Sequence, residues 1–479
     1  MLTLINTNRM TPPIAPVGLE YVAGAARGAG LDVDVVDLCL AEHPNALLED
    51  HFATGSPHLV GLSFRNVDDC YWPSAQCFVD GLSETVRTVR EQTDAPVVLG
   101  GVGFSTFPER ILEETGADFG IHGDGEQAIV LLLRELSSRR RFQDVPGLLW
   151  RENGKFLRNR PAWPQTISFP AARDLLDNPT YFRRGGQLGV ETKRGCDRKC
   201  IYCADPLAKG PGLRARSPVE VAGEVEALLS QGVDVLHLCD SEFNIPREHA
   251  MAVCKEFIRR SLGDRVRWYA YLAVVPFDAE LAAAMRRAGC VGINFTADSA
   301  DPNLLAAYRK AHRPEDLTEA VRLCRREGIT VMFDLLLGGP GETPESLRRT
   351  IDFMKGVGPD CVGSQLGVRV YPGTGMADVV RAEGPFETHP SLRRKYGGPV
   401  DLFQPTFYIS EALGDRPARL VREVIAGDRR FFEPVDEGDL REEDPTADYN
   451  YNDNTPLVEA IAAGARGAYW DILRKLRTA

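Results

Sequence analysis

The sequence predicts an α/β protein: an N-terminal doubly wound parallel sheet, then a partial (β/α)6 barrel, then a smaller, mostly helical C-terminal region. Three observations predict it. Apolar strand patterns alternate with helical ones over about the first 135 residues, residues 145 to 187 break that rhythm, and six strand-then-helix repeats follow from Gly189. Such alternation with short glycine turns implies parallel sheets. The length of 479 residues exceeds one core at about 150 residues per domain. With 43% apolar and 26% charged residues the chain is neither disordered nor a rod. It has no apolar run of about 18 residues, so no membrane span is expected. The net charge of -12 argues against a nucleic-acid partner, which needs a basic face. Eleven cysteines, mostly scattered, point to a reducing cytoplasm.

The elements follow in order. Leu2 to Ile5 is an apolar strand; no basic segment precedes it, so it does not read as a signal peptide. A proline-containing loop leads into a helical stretch from Val17 to Gly28. Asp32–Asp37 and Leu59–Phe64 are further strands, and a long helical stretch ends near Gln92. Ala95–Gly101 is a strand running into a glycine turn, and Phe119–His122 is a fifth strand before a helix from Glu126 to Leu136. Ligands of such sheets sit at the carboxyl ends of the strands. Val145–Trp150 and Gly154–Phe156 form a small hairpin within a connector. The second alternation has strands at Gly189–Thr192, Val233–His237, Val266–Ala270, Gly292–Phe295, Thr330–Leu335 and Ser364–Tyr371. The last 90 or so residues mix aromatic and acidic residues and end in an amphipathic stretch from Pro456 to Leu476. The expected division is residues 1–140, a connector at 141–187, the barrel at 188–385 and the C-terminal region at 386–479.

The segment Cys196-Asp-Arg-Lys-Cys200-Ile-Tyr-Cys203 carries the most chemistry. Three thiolates within eight residues can wrap one loop around an inorganic centre. Iron–sulfur cubanes usually take four cysteines, so three leave one iron open to an external ligand. The alternative is a zinc knuckle, which needs a fourth Cys or His nearby. No histidine lies between Val190 and Gly232, and the next cysteine is Cys239.

This triplet, with Tyr202 just before its last cysteine, resembles the CxxxCx(aromatic)C motif of the radical SAM superfamily, and it sits after the first barrel strand as in that family. The resemblance covers roughly residues 186 to 385. It implies a [4Fe–4S] cluster on Cys196, Cys200 and Cys203, with S-adenosyl-L-methionine (SAM) on the fourth iron and reductive cleavage to a 5′-deoxyadenosyl radical. It also implies SAM contacts from Tyr202 and from the end of the second strand, where Asp240 or Glu242 suits the methionyl ammonium. Solvated loop acids are the alternative there. Phe295 to Asp301 resembles the family's fourth-strand segment, with Asp298 in place of the usual Glu and Ser299 beside it. Leu337-Gly338-Gly339-Pro340-Gly341-Glu342-Thr343 resembles its GxPGET turn, whose glycines would let backbone approach adenine or ribose.

The front 140 residues resemble the cobalamin-binding module that precedes many radical SAM enzymes. Pro16–Ala23 with Gly30–Val33 matches its opening, Val98–Ser105 its "vvlGGph" turn, and Gly123-Asp124-Gly125-Glu126 its "GeGE" turn. The resemblance implies that Gly100, Gly101, Gly103, Gly123 and Gly125 let the corrin or its nucleotide tail lie against backbone; ordinary sheet-to-helix turns are the alternative. There is no DxHxxG, so no histidine is placed to ligate cobalt. His43 and His51 are expected at solvent, and His122 at a turn. Arg65, ending the third strand, stays protonated and cannot ligate cobalt. It would keep water off the lower axial face, unless it pairs with Asp68 or Asp69.

Together these resemblances imply a cytoplasmic cobalamin-dependent radical SAM methyltransferase of natural-product biosynthesis, acting on a small molecule or peptide. One SAM would methylate cob(I)alamin. A second would give the radical that removes a substrate hydrogen, and the substrate radical would take the methyl from methylcobalamin. An unactivated carbon offers no acidic proton or lone pair, so such chemistry needs these cofactors. An external electron donor such as flavodoxin or ferredoxin is implied. The alternative keeps the cofactors but gives rearrangement, cyclisation or oxidation. A methylthiotransferase would carry three more clustered cysteines in front, which Cys39, Cys70 and Cys77 do not provide, and the triplet speaks against a mere cobalamin sensor. The aromatics of Phe403–Tyr408 and Tyr449–Asn452 are candidates to close the barrel mouth, with a place in the core as the alternative.

Overall fold

Both alternations form parallel sheets in the computed structural model, which describes residues 1–168, 171–435 and 450–478. The front sheet has strands β1 (Leu2–Asn6), β2 (Val33–Asp37), β3 (Leu59–Ser63), β4 (Val97–Gly100) and β5 (Phe119–Ile121). They are parallel, with β1 between β2 and β3. The order reverses at β1–β3, where a doubly wound sheet opens a crevice for a ligand. Their apolar runs are buried on both faces, as such sheets require. Helices Val17–Gly28 and Gly125–Leu136 cover one face through Leu19, Ala23, Ala128 and Leu132; Val79–Gln92 covers the other through Leu82, Val86 and Val89.

The hairpin expected in the connector is β6 (Leu148–Glu152) and β7 (Lys155–Arg158), and it belongs to the front sheet. Strand β6 pairs antiparallel with β5, so the sheet runs past residue 140. Buried Leu148 and Leu149 explain this, because they complete the core beneath β5.

The barrel sheet holds Leu188–Val190, Val235–Leu238, Arg267–Leu272, Cys290–Asp298, Thr330–Leu337 and Cys361–Leu366, in that spatial order and all parallel. We refer to them as barrel strands one to six. The C-terminal region carries helices Pro417–Ile425, Thr455–Ala462 and Tyr469–Thr478. It also lends Phe431–Phe432 to the open edge of barrel strand six. The stretch from Pro456 to Leu476 is two helices, broken where Gly464 and Gly467 take positive φ. Tyr449 lies outside the described residues. A buried ion cluster ties front sheet to barrel: Arg173 pairs with Glu20 and Glu224, and Arg216 with Glu224 at 2.6 Å.

Candidate functional site

The cysteine loop leaves barrel strand one through Gly195, whose φ is +81° and whose missing side chain makes room for the Gly212 carbonyl. Cys196 is buried, Cys200 and Cys203 are half-buried, and all three are free thiols. Burial pushes Cys196 up to about 11 and raises Cys200 and Cys203 as well. Such thiols stay protonated until a cationic centre takes them as thiolates. Among the described residues, no three His, Cys, Asp or Glu side chains are grouped as a single metal ion would need. Loop residue Ile201 donates its N–H to the Tyr308 carbonyl and packs on Val368 and Met376, so the thiols are anchored from below.

Behind Cys200 the Tyr202 hydroxyl donates to Asp298, and Lys310 Nζ lies 3.1 Å from the same carboxylate. Asp298 sits at φ +59°, a left-handed position that Asp tolerates. Tyr202 and Asp298 thus brace each other beside the cluster loop. Glu242 is different. Its Oε1 accepts from Thr296 at 2.8 Å, while its buried Oε2 has no partner. Burial pushes its carboxyl up to about 7 against the pull of Lys310. Glu242, Cys200, Lys199, Lys310 and His312 line a cavity of about 280 Å³. An unpartnered carboxylate next to an iron-binding thiol fits the ammonium of SAM.

Six residues expected at SAM or cobalamin have other partners or lie off the two cavities. Asp240 is saturated: Oδ1 accepts the N–H groups of Thr192 and Lys193 at 2.8 and 3.1 Å, and Oδ2 takes the Thr192 hydroxyl and Lys193 Nζ. It holds the first strand's exit and has nothing left for SAM. Ser299 is buried against Thr350. Gly338, Gly339 and Pro340 line neither cavity. A side chain on Gly339 would meet the Tyr308 hydroxyl at 1.9 Å, and the Gly338 N–H donates to Glu342. Gly103 does not reach the front cavity either, because it presses on the Asn66 backbone.

That front cavity, about 690 Å³, lies between the carboxyl ends of β1, β3, β4 and β5 and the inside of the barrel. Gly100 faces it with no atom within 4 Å of where its side chain would start. Gly101, Gly123 and Gly125 also line it, but their missing side chains make room for Phe64, Trp163 and Val22. Arg65 projects into it. Its Nη1 donates to Met10 Sδ at 3.2 Å, and desolvation lowers its pKa. Asp68 pairs instead with Arg369 at 2.9 Å, and Asp69 accepts from the backbone of Tyr71 and Gln76, so the ion pair weighed for Arg65 does not form. His43, His51 and His122 stay off the cavity; His122 bonds the Leu207 carbonyl, and the lining histidine is His237 of barrel strand two. A large chamber walled by open glycine backbone and unpartnered polar atoms (Asn8 Nδ2, Gln187 Oε1) fits an amide-rimmed corrin.

Sequence reasoning missed the barrel side of this chamber: His237, Cys239, Tyr271 and Asp334. The available signal was a polar residue inside an otherwise apolar strand, as in Met332-Phe333-Asp334-Leu335.

Residues 190–354 match the radical SAM superfamily and residues 5–133 the B12 binding domain. The chain is 33% identical over 440 residues to a tryptophan 2-C-methyltransferase of Streptomyces laurentii, covering 78% of this chain and 74% of that protein. It is 26% identical to an anaerobic magnesium-protoporphyrin IX monomethyl ester cyclase of Cereibacter sphaeroides, over 70% of this chain and 55% of that one. The radical SAM methyltransferase TsrM of Kitasatospora setae, solved with tryptophan and a SAM analogue, superposes with a TM-score of 0.92 at 31% identity, covering 100% of this chain and 97% of that one. The same protein with cobalamin and a [4Fe–4S] cluster gives 0.89 at 30% identity, over 100% and 97%. This chain belongs to the cobalamin-dependent radical SAM methyltransferases. Its cofactors are a [4Fe–4S] cluster, SAM and cobalamin. No helix among the described residues is long and apolar enough to cross a membrane.

Proposed function

We propose that this enzyme methylates a carbon of a small aromatic amino acid of the tryptophan class, in the cytoplasm, within a natural-product pathway. The observation that carries the reading is the single chamber joining the carboxyl ends of the front strands to the barrel interior. It sets the carboxyl ends of the front strands, where a ligand of such a sheet sits, against the barrel interior, and TsrM, which superposes over the whole chain, was solved with tryptophan. When bound, the cluster and SAM supply the methyl group and one-electron chemistry, and cobalamin carries the methyl.

The chain's own residues do the rest. Cys196, Cys200 and Cys203 hold the cluster, and Glu242 orients SAM by its ammonium. Tyr202, Asp298 and Lys310 keep the cysteine loop in place. Gly100 leaves the corrin its space, with Gly101, Gly123 and Gly125 setting the turns around it. Arg65, projecting into the chamber, would keep water away from a bound cobalt, and its positive charge would favour a more reduced metal. An external donor such as flavodoxin or ferredoxin supplies electrons. The test is anaerobic turnover with methyl-labelled SAM and tryptophan. The expected product gains one labelled methyl on carbon. SAM consumption with a product lacking label would favour cyclisation or rearrangement, the chemistry of the cyclase relative.

A further inference from the structure

The barrel wall of the large chamber contains an acid that nothing above employs. Asp334 lies midway along barrel strand five and lines the chamber. Its Oδ2 accepts from Asn294 Nδ2 at 2.6 Å, while its buried Oδ1 has no partner. The Asn294 Oδ1 beside it is also without one. Among the described residues no Lys, Arg or His forms an ion pair with Asp334. A buried carboxylate without a cation is costly, and two neighbouring buried acceptors without donors add to that cost. The neighbours offer no remedy. His237 on the same wall is held neutral by burial, and Tyr271 and Tyr451 contribute hydroxyls, not charge.

What this spot lacks is one positive charge with more than one N–H. A primary ammonium supplies both, having three donors on a compact cation. SAM also has an ammonium, but Glu242 awaits it in the separate cavity beside Cys200. Around Asp334 the chamber is lined by the rings of Tyr71, Tyr271, Tyr451 and Trp470, which suit a flat aromatic body attached to that amine. We infer that Asp334, supported by Asn294, is the specificity residue that holds the protonated amine of the substrate. This rests on the tryptophan-class reading above and adds which atom of the substrate is recognised and by what.

The experiment is equilibrium binding to the fully reconstituted enzyme of three indoles: tryptophan, tryptamine, which keeps the amine, and indole-3-propionate, which lacks it. The wild type is expected to bind the two amines more tightly than the propionate by about tenfold or more, the worth of a charged hydrogen-bonded contact. Asp334→Asn is expected to erase that preference and raise the tryptophan KM by a similar factor, with SAM and cobalamin affinity unchanged. Asp334→Glu is expected to restore part of it. Indifference of the wild type to the amine overturns the assignment, and needs no variant to fold. A variant that loses SAM or cobalamin while keeping its preference gives the carboxylate to a cofactor. Failure of the wild type to bind any of the three, with both cofactors in place, removes the tryptophan-class reading and this assignment with it.

Discussion

At the carboxyl end of β4 the chain reads Gly100-Gly101, and at the carboxyl end of barrel strand five it reads Gly338-Gly339. Both pairs open a turn that resembles a cofactor-binding motif. Beside Gly100 there is open chamber. Beside Gly339 there is the Tyr308 hydroxyl, and beside Gly338 the side chains of Ile409 and Leu366. The first glycine leaves space for something outside the chain, the second for the chain itself. The acids two residues apart at the end of barrel strand two divide the same way. Asp240 is filled by Lys193 and Thr192, and Glu242 keeps an oxygen free. Residue type and motif do not separate the members of either pair; the neighbours that folding brings do.

Substitutions can sharpen this contrast. The largest effect is expected at the cluster. Cys196→Ala, Cys200→Ala or Cys203→Ala should abolish the brown absorbance, the content of about four irons per chain, and product formation. Tight zinc without iron in anaerobically purified protein would contradict the cluster assignment. Next come the acids. Asp240→Asn breaks a buried ion pair and should lower stability by about 3–5 kcal/mol, read by denaturant unfolding. Glu242→Gln should leave stability nearly intact and raise the KM for SAM by about tenfold, the loss of one charge-assisted contact. Equal effects in the two variants would erase the distinction.

The glycines should part in the same manner. Gly339→Ala forces Tyr308 aside and should cost about 1–3 kcal/mol of stability, with cobalamin affinity unchanged in the folded protein. Gly100→Val should weaken cobalamin and leave the melting temperature alone. The smallest effect is expected at Glu342, whose carboxyl burial pushes up to about 8. A raised folded pKa gives stability that is complete below the unfolded value and lost as pH rises through about 8. Glu342→Gln should therefore gain at least about 2 °C in melting temperature relative to wild type between about pH 6 and about pH 9. An unchanged difference across that range would mean that the carboxyl is not destabilised by burial.

Much of this architecture was legible in the sequence. The helix at Val17–Gly28, the parallel strand–helix alternation of both sheets and the cluster loop follow from apolar period, glycine turns and thiol spacing. The hairpin β6–β7 was legible as a hairpin but not as part of the front sheet, because its pairing with β5 is set by burial of Leu148 and Leu149 rather than by any local signal. The fates of Ser299, Gly103 and Gly338 were not legible, because Thr350, Asn66 and Ile409 lie far away in the chain or across a turn. Asp334 was visible only as an odd acid in an apolar strand. Its meaning comes from the missing cation, and that needs three dimensions.

The central claim is that cobalamin occupies the chamber between front sheet and barrel, with Arg65 and no histidine at its lower face. Electron paramagnetic resonance of the Co(II) state in the reconstituted enzyme tests it directly. The account predicts a signal without nitrogen coupling and without axial water, and a changed signal with lower methyl yield in Arg65→Ala. Nitrogen coupling that disappears in His237→Ala, with Arg65→Ala identical to wild type, would place His237 at cobalt and contradict the account.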